Sequence, residues 1–221
     1  MSSREDILGR IRARLGRTAE NAASGRAALD AYLATRPTGP RPHIEGDLAA
    51  RFREKSELLS STVEEVATLQ EVPQAIARYL ASHALAHQAV CWPGLAGLPW
   101  LQAGIAAEAR PAGGSDLVGI TGCFCAIAET GTLMFCSGPD TPAATSLLPE
   151  THIAIVPAAR IVAGMVEAWN LVRTELGELA GLPRAVNFIS GPSRTGDIEQ
   201  TIVLGAHGPY RVHLVIVRNV A

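Results

Sequence analysis

Length, composition and charge restrict the classes of protein to which this chain can belong. Its 221 residues are 48% hydrophobic and 18% charged, which is ordinary for a globular protein that buries a substantial core. The net charge of −2 lacks the basic excess with which a general nucleic-acid binder neutralises phosphates. No apolar run approaches the roughly 18 residues of a membrane-spanning helix, and the polar amino terminus does not resemble a secretory signal, so we expect a cytoplasmic protein without a membrane span.

The first 45 residues predict a helical arm that ends in a proline-rich linker. Ile7, Ile11 and Leu15 recur at four-residue spacing, as on one face of an amphipathic helix, and a second helical stretch covers residues 18–33. Three prolines and a glycine between Arg36 and Pro42 exclude regular structure. We therefore divide the chain into an arm, residues 1–45, and an α/β domain, residues 46–221.

The arm is rich in arginine. It holds eight arginines and five acidic residues, a balance that suits either a docking surface for a partner or another subunit, or a solvated helix face. The solvated face is the favoured interpretation, because long arginine side chains readily cover apolar surface of their own domain.

Helical and strand-like segments alternate through the rest of the chain. Helical periodicity covers residues 47–59, 73–85, 162–176 and 197–204. Strand-like runs cover residues 62–69, 89–92, 152–156, 185–189 and 212–217. This alternation is typical of a mostly parallel, Rossmann-like sheet with helices on its faces. Two further runs, Leu117–Glu129 and Thr132–Cys136, meet at Thr130-Gly131 and predict an inserted β-hairpin.

The segment Asn187–Pro209 has the composition of a binding loop. Its predicted order is strand, turn, helix, and N–H groups at the start of a helix favour an anion. Arg194 would add a positive charge beside hydroxyl groups, which belong to Ser190, Ser193 and Thr195. The alternative is a tight turn capped by Asp197, with Arg194 paired to a nearby acid. Because ligands of open α/β sheets bind beyond the carboxyl ends of the strands, we expect the loop at that edge.

Glu129 and His207 are the candidate proton-transfer residues. Glu129 ends an apolar segment beside a tight turn, where partial desolvation would suit a carboxylate to acid/base or nucleophilic work; the alternative is a turn residue facing solvent. Glycines flanking Ala206-His207 would let the backbone approach a ligand. His152 and His213 lie within strand-like runs, which predicts structural roles. His83 and His87 share a helix face without a third ligand, so we predict no metal site.

The cysteines leave two hairpin registers open. If Thr130-Gly131 is a two-residue turn, Cys125 faces Cys136 with Cys123 on the same face, and three sulfurs could oxidise or bind a soft metal. If Gly131 closes a three-residue turn with a bulge, Cys136 moves to the opposite face. No C-x-x-C occurs, so we expect no iron–sulfur cluster and no other cofactor. Small buried hydrophobic residues are the favoured interpretation of these cysteines.

Several motifs, in order, resemble the LUD-domain family. They are VGITG at 118–122, AIAETGT at 126–132, LLP at 147–149 followed by His152-Ile153, SGPSRT at 190–195 followed by DIE at 197–199, and GAHGP at 205–209. The resemblance covers residues 47–217, and the chain departs from the family's usual small or acidic residues at Cys123 and Cys125.

The resemblance implies a fold like that of ribose-5-phosphate isomerase, glucosamine-phosphate deaminase and the CoA-transferases. It also implies a part in a three-protein system that oxidises L-lactate to pyruvate, with a cysteine-rich and an iron–sulfur protein as partners. It assigns no catalytic mechanism to this type of subunit. The alternatives are a stand-alone isomerase or CoA-transferase-like enzyme that uses Glu129, and a non-catalytic scaffold or regulator.

Together, the residues and the resemblance give a set of candidate site residues. We expect Glu129 and His207 to be catalytic and a group of motif residues to bind a small anionic ligand. That group is Thr121, Thr130, Ser190, Gly191, Ser193, Arg194, Thr195, Asp197 and Glu199.

Overall fold

A computed structural model describes residues 3–177, 182–196 and 203–219. The chain divides into two compact units, Met1–Pro42 and His43–Ala221. The first unit holds two helices, as predicted, and its large apolar side chains are exposed. Thr18 caps the second helix by accepting a hydrogen bond from the Asn21 N–H, which satisfies one of the unpaired donors of the first turn.

The helices and strands are numbered along the chain. The helices are α1 (Ser3–Arg14), α2 (Ala19–Thr35), α3 (Leu48–Leu58), α4 (Val72–Ser82), α5 (Ala144–Leu147) and α6 (Met165–Leu176). The strands are β1 (Thr62–Thr68), β2 (Gln88–Cys91), β3 (Ala106–Ala109), β4 (Val118–Thr121), β5 (Cys125–Ile127), β6 (Thr132–Cys136), β7 (Thr151–Pro157), β8 (Ile161–Val162), β9 (Val186–Ile189), β10 (Arg194–Thr195), β11 (Val203–Leu204) and β12 (Arg211–Asn219). No helix of the described residues is long and apolar enough to cross a bilayer.

The main sheet has six strands, all parallel, in the order β1-β12-β7-β4-β2-β3. Its central strands are apolar runs buried on both faces, as in IAIV of β7 and LVIV of β12, and such runs suit a parallel sheet covered on both sides. The predicted α/β fold with a mostly parallel, Rossmann-like sheet is therefore confirmed.

Different elements cover the two faces of the main sheet. Val72, Ile76 and Leu80 recur every four residues on α4 and pack with Ile153 and Val215 on one face. On the other face, α3 and a second sheet share a core with alternate residues of β7 and β12, such as Ala154 and Leu214. Helix α6 packs on the far side of the second sheet. The second sheet is thus sandwiched between the main sheet and α6.

The second sheet has four strands in the order β8-β5-β6-β9. Strands β5 and β6 form the predicted hairpin, but β9 also pairs with β6, antiparallel. Placing residues 185–189 in the parallel sheet was therefore wrong. The burial of β9 gives the physical reason, because Phe188 is exposed and its other residues are only half-buried, as befits an edge strand rather than a central one.

Candidate functional site

The SGPSRT and GAHGP motifs lie where strands of the main sheet begin. The Ser193 N–H donates to the Pro209 carbonyl at 2.8 Å, and the Tyr210 and Arg211 N–H groups donate to the Glu150 carbonyl. Strands β12 and β7 start at the next residues. We call this side of the main sheet, where β1, β7 and β12 begin, the amino edge. The expected position beyond the carboxyl ends of the parallel strands was wrong, because β9, which leads into the loop, belongs to the other sheet.

The two motifs are joined by a short antiparallel pair. Arg194 pairs with Leu204 and Thr195 with Val203, and the Gly205 N–H donates to the Ser193 carbonyl at 2.9 Å. The helix predicted over 197–204 is therefore wrong at its last two residues, because strand pairing satisfies their backbone groups instead. Asp197 and Glu199 lie outside the described residues, so their predicted roles stay predictions.

Ser193 and His207 meet in this fold. The His207 N–H donates to the Ser193 Oγ at 3.3 Å, and the His207 side chain is exposed. Gly205, with φ of +78°, lies so close to Tyr210 that an added Cβ would come within 2.6 Å of its Cβ. The glycines of this motif thus allow the tight return of the chain that brings His207 back to Ser193.

Arg194 reaches the end of α3. Its Nη2 donates to the Leu59 carbonyl at 3.1 Å and to the Ser60 Oγ. A guanidinium group there offsets the unpaired carbonyls and partial negative charge of a helix carboxyl end. A guanidinium carries five N–H donors, so these bonds to described residues leave donors for an anion. Ser60 and Leu59 were missed from the sequence, where nothing indicates contacts across more than 130 residues.

The hairpin tip packs against the same end of α3. Gly131, with φ of +65°, would place a Cβ 2.6 Å from the Ser56 backbone nitrogen, and the Ser56 Oγ donates to the Gly131 carbonyl. Cys125 pairs with Met134 and Ile127 with Thr132, which leaves a four-residue loop. Both predicted registers were therefore wrong: the turn is longer than two or three residues because Gly131 folds back to donate to the Ile127 carbonyl.

Three hydroxyl groups connect the hairpin tip to the loop after β9. The Thr132 Oγ1 lies 2.7 Å from the Thr130 Oγ1 and 2.7 Å from the Ser190 Oγ. Next to Ser190, Gly191 has a φ of +77° and would place a Cβ 2.4 Å from the Leu59 carbonyl oxygen. The structure therefore brings together Thr130, Ser190, Gly191 and Arg194 around the end of α3. Thr132 was missed, although it belongs to the AIAETGT motif.

Glu129 lies at the start of α6. Its N–H donates to the Ala163 carbonyl at 2.9 Å. A Cβ built on Gly164, the residue that precedes α6, would lie 2.9 Å from Oε2 of Glu129 and 3.2 Å from Oε2 of Glu167. The amino end of a helix favours such carboxylates. Glu129 thus lies beside Ala163 and Gly164, whereas His207 lies beside Ser193, and no hydrogen bond or ion pair joins the two within the described ranges.

Thr121 is not part of this cluster. It is fully buried in the main sheet, and its Oγ1 lies 2.8 Å from Nε2 of His152. His152 is also fully buried, and burial lowers its pKa to about 3, because charging an imidazole away from water is unfavourable. This pair therefore serves the core, in agreement with the structural role predicted for His152.

His213 occupies a similar place between the main sheet and α4. Its Nδ1 lies 2.8 Å from the Thr62 Oγ1, and its ring stacks on Tyr79 with the ring centroids 4.0 Å apart. Burial, with a smaller contribution from His83, lowers the pKa of His213 to about 4. His213 is thus a neutral core residue, as predicted.

The cysteines do not form one patch. Cys125 and Cys136 pack with Met134 beneath α6, whereas Cys123 packs into the core between the two sheets. All four thiols are free. Burial raises the pKa of Cys123 to about 12 and that of Cys125 to about 11, which disfavours the thiolate needed for oxidation or metal binding. Among the described residues, no group of three His, Cys, Asp or Glu side chains could hold a metal ion.

A separate cleft of about 280 Å³ lies between the starts of β2, β3 and β4. Its cation, Arg110, is bound by Asp116 through two hydrogen bonds and by Glu108. The guanidinium and the Gly113 N–H lower the pKa of Asp116 to about 2, and the two carboxylates raise that of Arg110. Because these charges already satisfy one another, the cluster at the amino edge is the better candidate for anion binding.

Known proteins are similar to this chain in sequence and in fold. Lactate utilization protein C of Bacillus subtilis (strain 168) is 40% identical over 102 residues, which are 46% of this chain and 42% of that protein. Lactate utilization protein C of Shouchella clausii (strain KSM-K16) is 42% identical over 100 residues, 45% of this chain and 43% of that one. The match thus spans less than half the length of these relatives.

The structural comparison covers more of the chain. A crystal structure of a DUF162 family protein from Deinococcus radiodurans superposes with a TM-score of 0.62 at 27% identity, covering 80% of this chain and 99% of that one. The sequence model of the LUD domain matches residues 49–217, which include both sheets and every motif described above. The chain therefore belongs to the LUD-domain family.

Proposed function

We propose that this chain takes part in lactate utilization, as one component of a three-protein system that oxidises L-lactate to pyruvate. The names of the similar Bacillus subtilis and Shouchella clausii proteins support the process. The motif resemblance supports the three-protein system, with a cysteine-rich and an iron–sulfur protein as partners. In this proposal lactate loses the hydrogens of its hydroxyl group and α-carbon as two protons and two electrons, the partner proteins would accept the electrons, and this chain binds a small anion.

One observation carries the anion-binding part of the proposal. The loops that hold the two motifs pack against each other at the amino edge. Arg194, Ser190 and His207 on these loops are all exposed. A guanidinium and hydroxyl groups are suitable donors for a carboxylate. The exposed imidazole of His207 could take the proton that leaves the lactate hydroxyl group.

Glu129 favours a second candidate function. Its half-buried carboxylate lies at the amino end of α6 beside Glu167, a position compatible with a nucleophile or base in an isomerase or CoA-transferase-like reaction. Mass spectrometry after incubation with acetyl-CoA tests this: a covalent adduct at Glu129 that disappears in Glu129→Gln supports a stand-alone enzyme.

A third function, a non-catalytic scaffold, would use the exposed arm of residues 1–45 to dock partners. Its deletion should then abolish co-purification with the partners and leave anion binding intact.

Calorimetric titration tests the proposed ligand. L-lactate and pyruvate are titrated into the full chain and into Arg194→Ala, for which we expect an affinity about 10-fold lower, the usual effect of losing one charged hydrogen bond. Arg173→Ala is the matched control, since Arg173 lies on α6 and donates to the Asn170 Oδ1, away from the candidate site. Equal affinities for the wild type and Arg194→Ala would remove Arg194 from the site.

Growth tests the process separately from the ligand. The bacterium that carries this gene should lose growth on L-lactate as the carbon source when the gene is deleted and recover it with the wild-type gene. Undiminished growth of the deletion strain on L-lactate would contradict the proposed process.

A further inference from the structure

The hydroxyl chain at the hairpin tip has a buried middle and two exposed ends. Thr132 is only 4% exposed, whereas Thr130 and Ser190 are exposed. The distances of 2.7 Å on both sides of the Thr132 Oγ1 are those of good hydrogen bonds. One buried hydroxyl therefore connects the residue after Glu129 with the first residue of the SGPSRT motif.

The hydrogen bonds between these three hydroxyl groups can run in either of two directions. Each hydroxyl donates one proton and accepts through its lone pairs, so Thr132 donates to one neighbour and accepts from the other. If Thr130 donates to Thr132 and Thr132 donates to Ser190, the Ser190 proton points outward. In the reverse order, the Thr130 proton points outward. A hydrogen-bond acceptor at one end therefore selects one of the two orders.

The charges near the two ends differ. At the Ser190 end, Gly191 packs against the Leu59 carbonyl oxygen that also accepts from Arg194, so the guanidinium lies beside this loop. At the other end, the neighbour of Thr130 along the chain is Glu129. The guanidinium attracts an anion, which favours binding at the Ser190 end.

We propose that Thr132 is a positioning residue that, by donating to Ser190, turns the Ser190 hydroxyl into a donor to an oxygen of a bound anion. The ligand class is a small anion with oxygen acceptors, either a carboxylate or a phosphate. This inference rests on the proposed function, whose small anion it places at Ser190.

Titrations with L-lactate, pyruvate and inorganic phosphate test this role and distinguish the two kinds of anion. Thr132→Val keeps the side-chain shape without the hydroxyl and should weaken binding about 10-fold, the effect of one hydrogen bond. Thr132→Ser should restore most of the affinity. In a Ser190→Ala background, Thr132→Val should cause no further loss, because Thr132 acts through Ser190.

A control and a substitute variant keep the test decisive. Thr141→Val removes a half-buried hydroxyl that donates to the Cys136 carbonyl at 2.7 Å and should bind like the wild type. Thermal unfolding checks that each variant folds; if Thr132→Val does not, Thr132→Cys, with its weak S–H donor, replaces it.

Three outcomes distinguish a failure of this inference from a failure of the proposed function. Wild-type affinity in Thr132→Val, or an equal loss with and without Ser190, overturns the positioning role alone. A wild-type chain that binds none of the three anions overturns this role and the proposed anion binding together. A deletion strain that grows normally on L-lactate contradicts the proposed process only, and a Thr132 effect on phosphate binding would then stand.

Discussion

The two sheets of this domain differ in how far their hydrogen-bonded polar side chains lie from solvent. In the main sheet, Thr121 and His152 bond each other without access to solvent. In the second sheet, Thr132 bonds two exposed hydroxyls at the hairpin tip and the loop beyond β9. Both threonines belong to motifs of the family, yet only the second leads to the surface. Motif membership alone therefore does not separate a core residue from one that leads to the surface.

The largest expected effect comes from acid and concerns the main sheet. The unfolded state takes up protons on His152 and His213 near pH 6.5, whereas burial lowers their folded pKa values to about 3 and about 4. Their contribution to stability is therefore complete above pH 6.5 and is lost as the pH falls. We expect the free energy of unfolding, from urea denaturation, to fall by at most about 4 kcal/mol between pH 7 and pH 5.

Histidine variants show whether the main sheet causes this loss. His152→Leu should remove about half of the pH dependence. His207→Ala, which replaces an exposed histidine outside the main sheet, is the control variant. An equal slope in all three proteins would contradict the assignment to buried histidines.

Gly119 tests the packing of the main sheet. A Cβ there would lie 2.1 Å from the Thr145 carbonyl oxygen and 2.8 Å from Pro149, so α5 would have to move. We expect Gly119→Ala to destabilise the protein by about 3 kcal/mol in urea denaturation. Gly122→Ala, whose Cβ meets only the Trp92 ring at ordinary distances of 3.6 and 3.7 Å, should cost far less; comparable losses would refute the steric explanation.

Gly191 is the counterpart at the second sheet. Its positive φ and its contact with Leu59 both oppose a side chain, but a surface loop shifts more readily than a buried helix. Gly191→Ala should therefore cost about 2 kcal/mol of unfolding free energy and also weaken anion binding. Gly196→Ala, with open space around its Cβ, is the control. If Gly191→Ala lost as much unfolding free energy as Gly119→Ala, the loop would be as rigid as the core.

Arg194 should have the smallest effect on stability. Its side chain is exposed, so losing its bonds to the end of α3 should cost only about 1 kcal/mol in urea denaturation. If Arg194→Ala destabilised the protein by several kcal/mol, the guanidinium would be a structural cap, and the reduced anion affinity expected above would follow from unfolding rather than from lost contacts.

Four strands of the main sheet, β1, β2, β7 and β12, were predictable from local sequence, as was the β5–β6 hairpin, whereas β3 and the sheets to which β4 and β9 belong were not. Apolar runs such as residues 152–156 and 212–217 identify buried parallel strands by themselves, because both of their faces are covered. The run Leu117–Glu129 divides into two strands, of which β4 joins the main sheet and β5 joins the second. Its sequence carries no comparable signal for that division. The partner of β9 is likewise set by tertiary packing rather than by its own pattern.

The grouping of these candidate residues was predictable from the sequence, but the location of the group was not. The composition of 187–209 identified Ser190, Ser193, Arg194 and His207 as a group, and the structure brings their loops together. Their position at the amino edge follows from backbone bonds such as that from the Ser193 N–H to the Pro209 carbonyl, and Arg194 bonds there to Leu59 and Ser60. Those bonds join segments far apart in sequence, which periodicity and motif spacing cannot reveal.

The contacts at the end of α3 join segments that are far apart in the sequence. Arg194 meets Leu59 and Ser60 across 135 and 134 residues, and Ser56 meets Gly131 across 75. Closing such long loops costs conformational entropy, and this cost is offset only when the distant segments make their contacts. During synthesis, α3 and the hairpin therefore emerge well before their last partner, and the cluster is assembled only after residue 194 has been made. Amide hydrogen exchange in the finished protein should accordingly be faster in these loops than in the central strands of the main sheet.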